Sequence, residues 1–268
     1  MELVPPPADA RRRFGGIARL YGEQALQRLQ RAHMVVVGVG GVGSWAAEAL
    51  ARSGVGTLTL IDLDHVAESN INRQSQALES TLGEAKVRAL ARRLLDIHPR
   101  CTVHQVEEFI DADNVETLLP PQADMLLDCC DQVRAKAAMA AHALRSGLPL
   151  VVAGAAGGRR LAQHVRVMDL AEVRGDALLS KLRYRMRREH RAPRAGAMGI
   201  RCVCSDEPRA SAPESTDCVL PSDPGAGLNC AGYGSSVMVT ASFGMVAAGE
   251  ALEQLARAAA RGRRGPLL

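Results

Sequence analysis

Aromatic side chains are scarce in this chain: one tryptophan, three tyrosines and three phenylalanines make up 3% of its 268 residues. That shortage excludes rows of stacking platforms for single-stranded nucleic acid, so any RNA contact must rest on charge and shape. An export signal is lacking as well. Residues 1–13 hold Pro5, Pro6, Pro7 and three arginines but no apolar stretch of signal length, and they read as a flexible tail. The seven cysteines (Cys101, Cys129, Cys130, Cys202, Cys204, Cys218 and Cys230) are an odd number, unlike a secreted disulfide framework. Reduced thiols and a cytoplasmic location are therefore expected. Charge is missing from residues 224–249. The first half of that stretch is rich in Gly and Ser, and its strongly apolar part, Val237 to Ala248, falls short of the roughly 20 residues a bilayer demands. It predicts a buried helix or a subunit interface, and no membrane span.

What is present is ordinary globular material, 47% hydrophobic and 23% charged. The length suits one large domain, or a nucleotide-binding domain with an appendage. Short β-rich runs at Met34 to Gly38 and Thr57 to Asp62 flank a helix-sized segment, Ser44 to Ser53, which makes a βαβ unit. Further on, helices are expected near 84–97 and 133–145, and strands near 101–106, 125–128 and 150–152. The alternation predicts an α/β fold with a doubly wound, Rossmann-like, mostly parallel sheet and ligands beyond the carboxyl ends of its strands. The boundaries expected are the tail at 1–13, a nucleotide-binding region at 14–155, and a basic C-terminal extension at 156–268 that completes the same body with a mobile loop and a last helix. Between Arg159 and Arg201 the net charge is +8, against +4 for the whole chain. There Leu178, Leu182 and Met186 recur at helical spacing while Lys181, Arg185 and Arg188 line another face, as in an amphipathic basic helix. Residues 205–227 are proline-rich, have no hydrophobic period and read as a long mobile loop.

The chemistry-bearing residues begin at Gly38-Val-Gly40-Gly41-Val-Gly43, between a strand and a helix. Glycines there allow a tight turn and let backbone N–H groups approach phosphate at the positive helix end. Asp62 ends the next strand nineteen residues after Gly43, where a carboxylate can accept hydrogen bonds from ribose hydroxyls. Then come Asp64, Asn70, Arg73, Gln74, Lys86 and the run Asp128-Cys-Cys-Asp131. Arg73 and Lys86 suit phosphate oxygens, Asn70 suits their orientation, and Asp131 suits Mg²⁺, a hard cation that favours carboxylate oxygen. The structural alternatives are Asn70 as a helix cap, Arg73 and Lys86 as solvated surface, and Asp131 as an N-cap.

Taken in order, these motifs resemble the ubiquitin-activating-type adenylyltransferase superfamily (ThiF/MoeB-like) over roughly Arg13 to Val152. The resemblance implies that Gly41, Asp62, Asn70, Arg73, Gln74, Lys86 and Asp131 line ATP. Where such proteins carry an arginine for the γ-phosphate of the partner subunit this chain has Gly15, leaving Arg13 or Arg19 as substitutes. The paired Cys-x-x-Cys motifs of many members are replaced by Cys202-Val-Cys204, so no structural zinc is expected.

The phrases Arg13-Phe-Gly-Gly-Ile-Ala-Arg-Leu-Tyr-Gly22, Gly43-Ser-Trp-Ala-Ala-Glu-Ala-Leu-Ala-Arg52 and Val239-Thr-Ala-Ser-Phe-Gly244 extend the similarity to one subfamily, the tRNA threonylcarbamoyladenosine dehydratases. That resemblance implies ATP-dependent cyclisation of a tRNA nucleoside through carboxylate adenylation, with ATP and Mg²⁺ as cofactors, a homodimer, and a sulfur-relay protein partner of the kind some members have. It also draws attention to Cys230, a thiol among small residues that could capture an acyl adenylate, or simply pack. The rival reading is an adenylyltransferase that activates the C-terminus of a ubiquitin-like or sulfur-carrier protein; the basic segment favours RNA.

Overall fold

Runs such as His33-Met-Val-Val-Val37 and Thr57-Leu-Thr-Leu-Ile61 have no polar face, because helices cover both sides of the strands they form. In the computed structural model, which describes residues 9–209 and 234–261 with side chains to Arg257, these are β1 (His33–Val37) and β2 (Thr57–Ile61). They join β3 (Thr102–Val106), β4 (Met125–Asp128), β5 (Leu150–Ala153), β6 (Val165–Asp169) and β7 (Arg201–Ser205) in one sheet of order β3-β2-β1-β4-β5-β7-β6. Every pairing is parallel except that of β6 with β7. Strand order reverses between β1 and β4, which opens a crevice at their carboxyl ends.

The helices are α1 (Ala10–Tyr21), α2 (Glu23–Leu29), α3 (Gly43–Arg52), α4 (Lys86–Ile97), α5 (Val115–Leu118), α6 (Val133–Ser146), α7 (Ala177–Glu189) and α8 (Val237–Arg261). Alternate strand residues divide the core. Met34 and Val36 face a layer that includes Leu50 of α3, Leu90 of α4 and Phe243 of α8, whereas Val35 and Val37 face Met139 of α6 and Leu182 of α7. The α8 helix crosses α3 so closely that a Cβ on Gly244 would lie 2.4 Å from the Val42 carbonyl oxygen. Its apolar character is explained by that burial, and no helix among the described residues is long and apolar enough to cross a membrane.

The doubly wound α/β architecture matches the expectation, with several differences. Asp9 caps α1 by accepting from the Arg11 and Arg12 amides, so residues 10–13, read as tail, are helical. The segment after 156 is no mere basic extension: it supplies α7, the strand β7 beside β5 and the edge strand β6. Both strands alternate apolar and polar residues too weakly to stand out. The loop expected from residue 205 begins after β7, and its residues 210–233 lie outside the described residues, as do residues 1–8 of the tail.

One histidine sits under the sheet's amino end. His33 is buried, its Nε2 lies 2.7 Å from the Thr59 hydroxyl and its ring centroid 5.7 Å from that of His104. Burial, assisted by His104 and opposed by Asp124, lowers its pKa. The unfolded chain therefore binds this proton more readily, and folding stability is lost as pH falls below the ordinary histidine value of about 6.5. Thermal unfolding should show a falling Tm between about pH 6.5 and 5, and His33→Gln should flatten that slope; an unchanged slope would assign it to other groups.

Candidate functional site

The turn after β1 is set by backbone proximity. Gly38 has φ +80°, and a Cβ there would lie 2.8 Å from the Cys130 amide nitrogen; on Gly43 a Cβ would lie 1.9 Å from the Gly38 carbonyl oxygen. No L side chain fits either place. Gly41 packs under the Arg73 side chain, with a Cβ position 3.2 Å from Arg73 Cγ, while Gly40 is open apart from Gln74 Nε2 at 3.7 Å. Asp62 fastens this turn to the next strand's end: its Oδ2 accepts from the Val39 amide at 2.7 Å and its Oδ1 from the Asp64 amide at 2.9 Å. Burial raises the Asp62 pKa, against the pull of the Lys86 charge and the two amides.

Beyond β2, residues Glu68–Asn70 form a 3-10 turn. Asn70 is buried and its Oδ1 accepts from the Ala67 amide at 3.1 Å, so the capping alternative holds for that oxygen while the residue still faces the crevice. Arg73 donates to the Ser69 carbonyl at 2.7 Å and to Asn72 Oδ1 at 3.0 Å. Its own carbonyl accepts from Trp45 Nε1 at 3.0 Å. Lys86, first residue of α4, is not solvated surface. It is 7% exposed, and its Nζ sits 2.6 Å from Asp64 Oδ2. Asp131 is not an N-cap either, since Gln132 holds that position before α6.

Around one cavity of about 600 Å³ the structure brings together Gly38, Gly40, Gly41, Asp62, Asp64, Asn70, Arg73, Gln74, Lys86 and Asp131. Gly43 is the exception among the residues of the expected nucleotide set; it is the first residue of α3 and does not line the cavity. The far wall, which the sequence did not indicate, comes from Gly154 to Gly157, Leu178 and Arg209. Burial pushes the Cys129 thiol on this floor up to about 12. Among the described residues no group of three or more His, Cys, Asp or Glu side chains is arranged to hold a metal. A lone carboxylate such as Asp131 still suits Mg²⁺, which is commonly held by one or two carboxylates together with substrate phosphates.

Other expected residues lie elsewhere. Lys181, Arg185 and Arg188 are on α7 outside the cavity, with Arg185 and Arg188 both paired to Glu189, at 2.5 and 2.7 Å, and Arg188 stacked 5.5 Å over the Tyr184 ring. Neither Arg13 nor Arg19 lines the cavity of its own chain, and Arg13 donates to the Ile97 carbonyl at 2.5 Å. Cys230 lies outside the described residues.

Two cations went unrecognised in the sequence. Lys136 is wholly buried, with Nζ 2.9 Å from Asp128 Oδ1 and 2.8 Å from the Ala153 carbonyl; burial pulls its pKa down, but the Asp128 charge prevails and raises it. Arg159 is wholly buried as well, donating to the Ser205 carbonyl and lying 3.6 Å from Asp176. The only local signal was a lysine amid the alanines of α6.

The model of the ThiF family matches residues 15–264. The tRNA threonylcarbamoyladenosine dehydratase of Escherichia coli is 44% identical over 258 residues, spanning 94% of this chain and 96% of that protein. Its counterpart in Haemophilus influenzae is 38% identical, with 91% and 93% covered. The crystal structure of the E. coli tRNA N6-threonylcarbamoyladenosine dehydratase in complex with ATP superposes with a TM-score of 0.85 at 42% identity, covering 97% of this chain and all of that one (100%).

The glycine geometry gives a direct contrast. Gly43→Ala should lower stability by more than about 2 kcal/mol through backbone overlap, whereas Gly40→Ala should stay within about 1 kcal/mol of the parent. Denaturant melts of the two variants without nucleotide check this, and equal losses would contradict the turn geometry.

Proposed function

The chain belongs to the ThiF family, and we propose that it is an ATP-dependent cyclase of the ligase type that dehydrates N6-threonylcarbamoyladenosine in tRNA. The observation that carries this reading is the convergence of a glycine turn, a strand-end carboxylate, two cations and Asp131 on one cavity. Relatives similar along nearly their whole length, named for the same reaction, support it.

The α3 amino terminus and the glycine turn present N–H groups to phosphate, and Asp62 accepts from the ribose hydroxyls of ATP. Arg73 and Lys86 neutralise phosphate oxygens, with Asn70 and Gln74 orienting them. Because Asp64 holds Lys86 in place, that charge is positioned before substrate arrives. Asp131 would hold Mg²⁺, which supplies charge neutralisation on the departing pyrophosphate.

A carboxylate is a poor electrophile. In this reading an oxygen of the threonylcarbamoyl carboxylate attacks the α-phosphorus, the bond to pyrophosphate breaks, and an acyl adenylate forms. A nucleophilic atom of the same side chain then attacks the acyl carbon, loses its proton, and AMP departs with the former carboxylate oxygen. The net change in the nucleoside is loss of water, and attack within one side chain gains from proximity. Cys230 belongs to the proposal as a thiol able to take the acyl group from AMP first, as a thioester.

Lys181, Arg185 and Arg188 give α7 a basic face for tRNA phosphates, reduced by Glu189, the shared partner of Arg185 and Arg188. A homodimer is part of the same proposal, supported by the exposed Met238 and Met245 of α8 and Ile71 and Leu78 after β2. So are a cytoplasmic location, resting on the odd number of cysteines, and a sulfur-relay protein partner, resting on the resemblance alone.

ATP–pyrophosphate exchange in the presence of threonylcarbamoylated tRNA tests the chemistry. Asp131→Ala should fold and lose exchange by at least about a hundredfold, while Cys230→Ser should keep exchange and lose product. Full exchange in folded Asp131→Ala would remove its metal role. Neutralising Lys181, Arg185 and Arg188 together should weaken tRNA binding and reduce the log–log salt slope by roughly 0.7 to 0.9 for each phosphate no longer neutralised. An unchanged slope and affinity would place the RNA on another face.

A further inference from the structure

Lys136 stands in a buried stretch of α6 otherwise made of Ala135, Ala137, Ala138, Met139, Ala140 and Ala141. An ammonium has three donors, and three acceptors surround this one: Asp128 Oδ1 at 2.9 Å, the Ala153 carbonyl at 2.8 Å and the Asp128 carbonyl at 3.5 Å. Asp128 ends β4 and Ala153 ends β5. The registered ladder between those strands runs only as far as Asp128 opposite Val152. Lys136 therefore takes over where the sheet stops joining them.

The same Asp128 oxygen reaches forward. Oδ1 accepts from the Cys130 amide at 3.2 Å and from Cys130 Sγ at 3.0 Å, which folds residues 129–131 into a side-chain-capped turn. Asp131 follows directly, on the cavity wall, and Gly154 to Gly157 follow Ala153 on the opposite wall.

We propose that Lys136 is a positioning residue, which, by holding the ends of β4 and β5 together, sets the Asp131 turn at its place in the nucleotide cavity. This rests on the functional reading above. A stabilising role alone explains the pair poorly, because well-packed apolar residues often replace a buried ion pair at no loss or with a gain in stability. Asp128 Oδ2 is moreover buried without a hydrogen-bond partner among the described residues, a cost that an apolar pair would not carry.

The test compares Lys136→Met with the double variant Asp128→Asn, Lys136→Met, which removes both charges yet keeps an oxygen to cap Cys130. The single variant should melt at lower temperature, or fail to fold, and the double should recover most of the lost Tm. Calorimetric titration with ATP should then find the double variant within twofold of the parent without metal, but with the affinity gain from Mg²⁺ cut at least tenfold. Hydrogen exchange of the Cys130 and Asp131 amides should quicken at least tenfold. A parental Mg²⁺ gain in the double variant overturns the inference. If the parent itself gains nothing from Mg²⁺, the metal role of Asp131 fails instead, and exchange alone decides: faster exchange upholds the inference and parental exchange overturns it.

Discussion

At Gly38 a Cβ would lie 2.8 Å from the Cys130 amide nitrogen, so the turns after β1 and β4 meet backbone to backbone. The cavity's shape follows from that close approach. Strand order reverses between these two strands, the helices they feed leave on opposite faces, and the space between their carboxyl ends is closed at its floor by the two turns. Side chains larger than hydrogen at Gly38 or Gly43 would separate the turns, and with them the groups assigned to ribose and to metal.

Charge is concentrated at this end of the sheet, at a cost. Asp62, the Lys86–Asp64 pair, the Lys136–Asp128 pair and the Arg159–Asp176 pair all stand in or just behind the cavity wall. Burying ions opposes folding unless geometry and hydrogen bonds compensate. Here each ion ties a loop rather than a layer of the core. Asp62 holds the glycine turn, Asp128 holds the Cys130 turn, and Asp176 accepts from the Ala155 amide while capping α7 through the Leu179 amide. Sites that need fixed charges commonly give up stability in this way. The far wall is thus tied to the first turn of the helix whose outer face carries Lys181 and Arg188.

Much of this was legible in the sequence, for identifiable reasons. The βαβ unit stood out because buried parallel strands leave uninterrupted apolar runs, and the residues that line the cavity stood out because glycine turns and strand-end carboxylates recur at set spacings. The edge strand β6 and its neighbour β7 did not, since the polar residues of Val165-Arg-Val-Met-Asp169 and Arg201-Cys-Val-Cys-Ser205 break up the apolar run that marks the other buried strands. Nor did α1, whose Gly15 and Gly16 hide a helix anchored by Phe14 against His98. Counting charges overstated the free basic surface: Arg159 is buried, Arg183 donates to the carbonyls of Leu170 and Val173, and Arg201 pairs with Glu250. Such pairings link residues tens of positions apart, and a linear reading has no means to place them. Asn70 answered to both of its readings, as a cap and as cavity lining.

The central claim is that this cavity converts a carboxylate on tRNA into an adenylate and then into a ring. Mass spectrometry of nucleosides from threonylcarbamoylated tRNA, incubated with the purified protein, ATP and Mg²⁺, tests it most directly. The account predicts a nucleoside lighter by one water, with AMP and pyrophosphate formed in proportion to it and none of the three with Asp131→Ala. A nucleoside of unchanged mass, with ATP consumed only when a carrier protein's C-terminus is supplied, would contradict it.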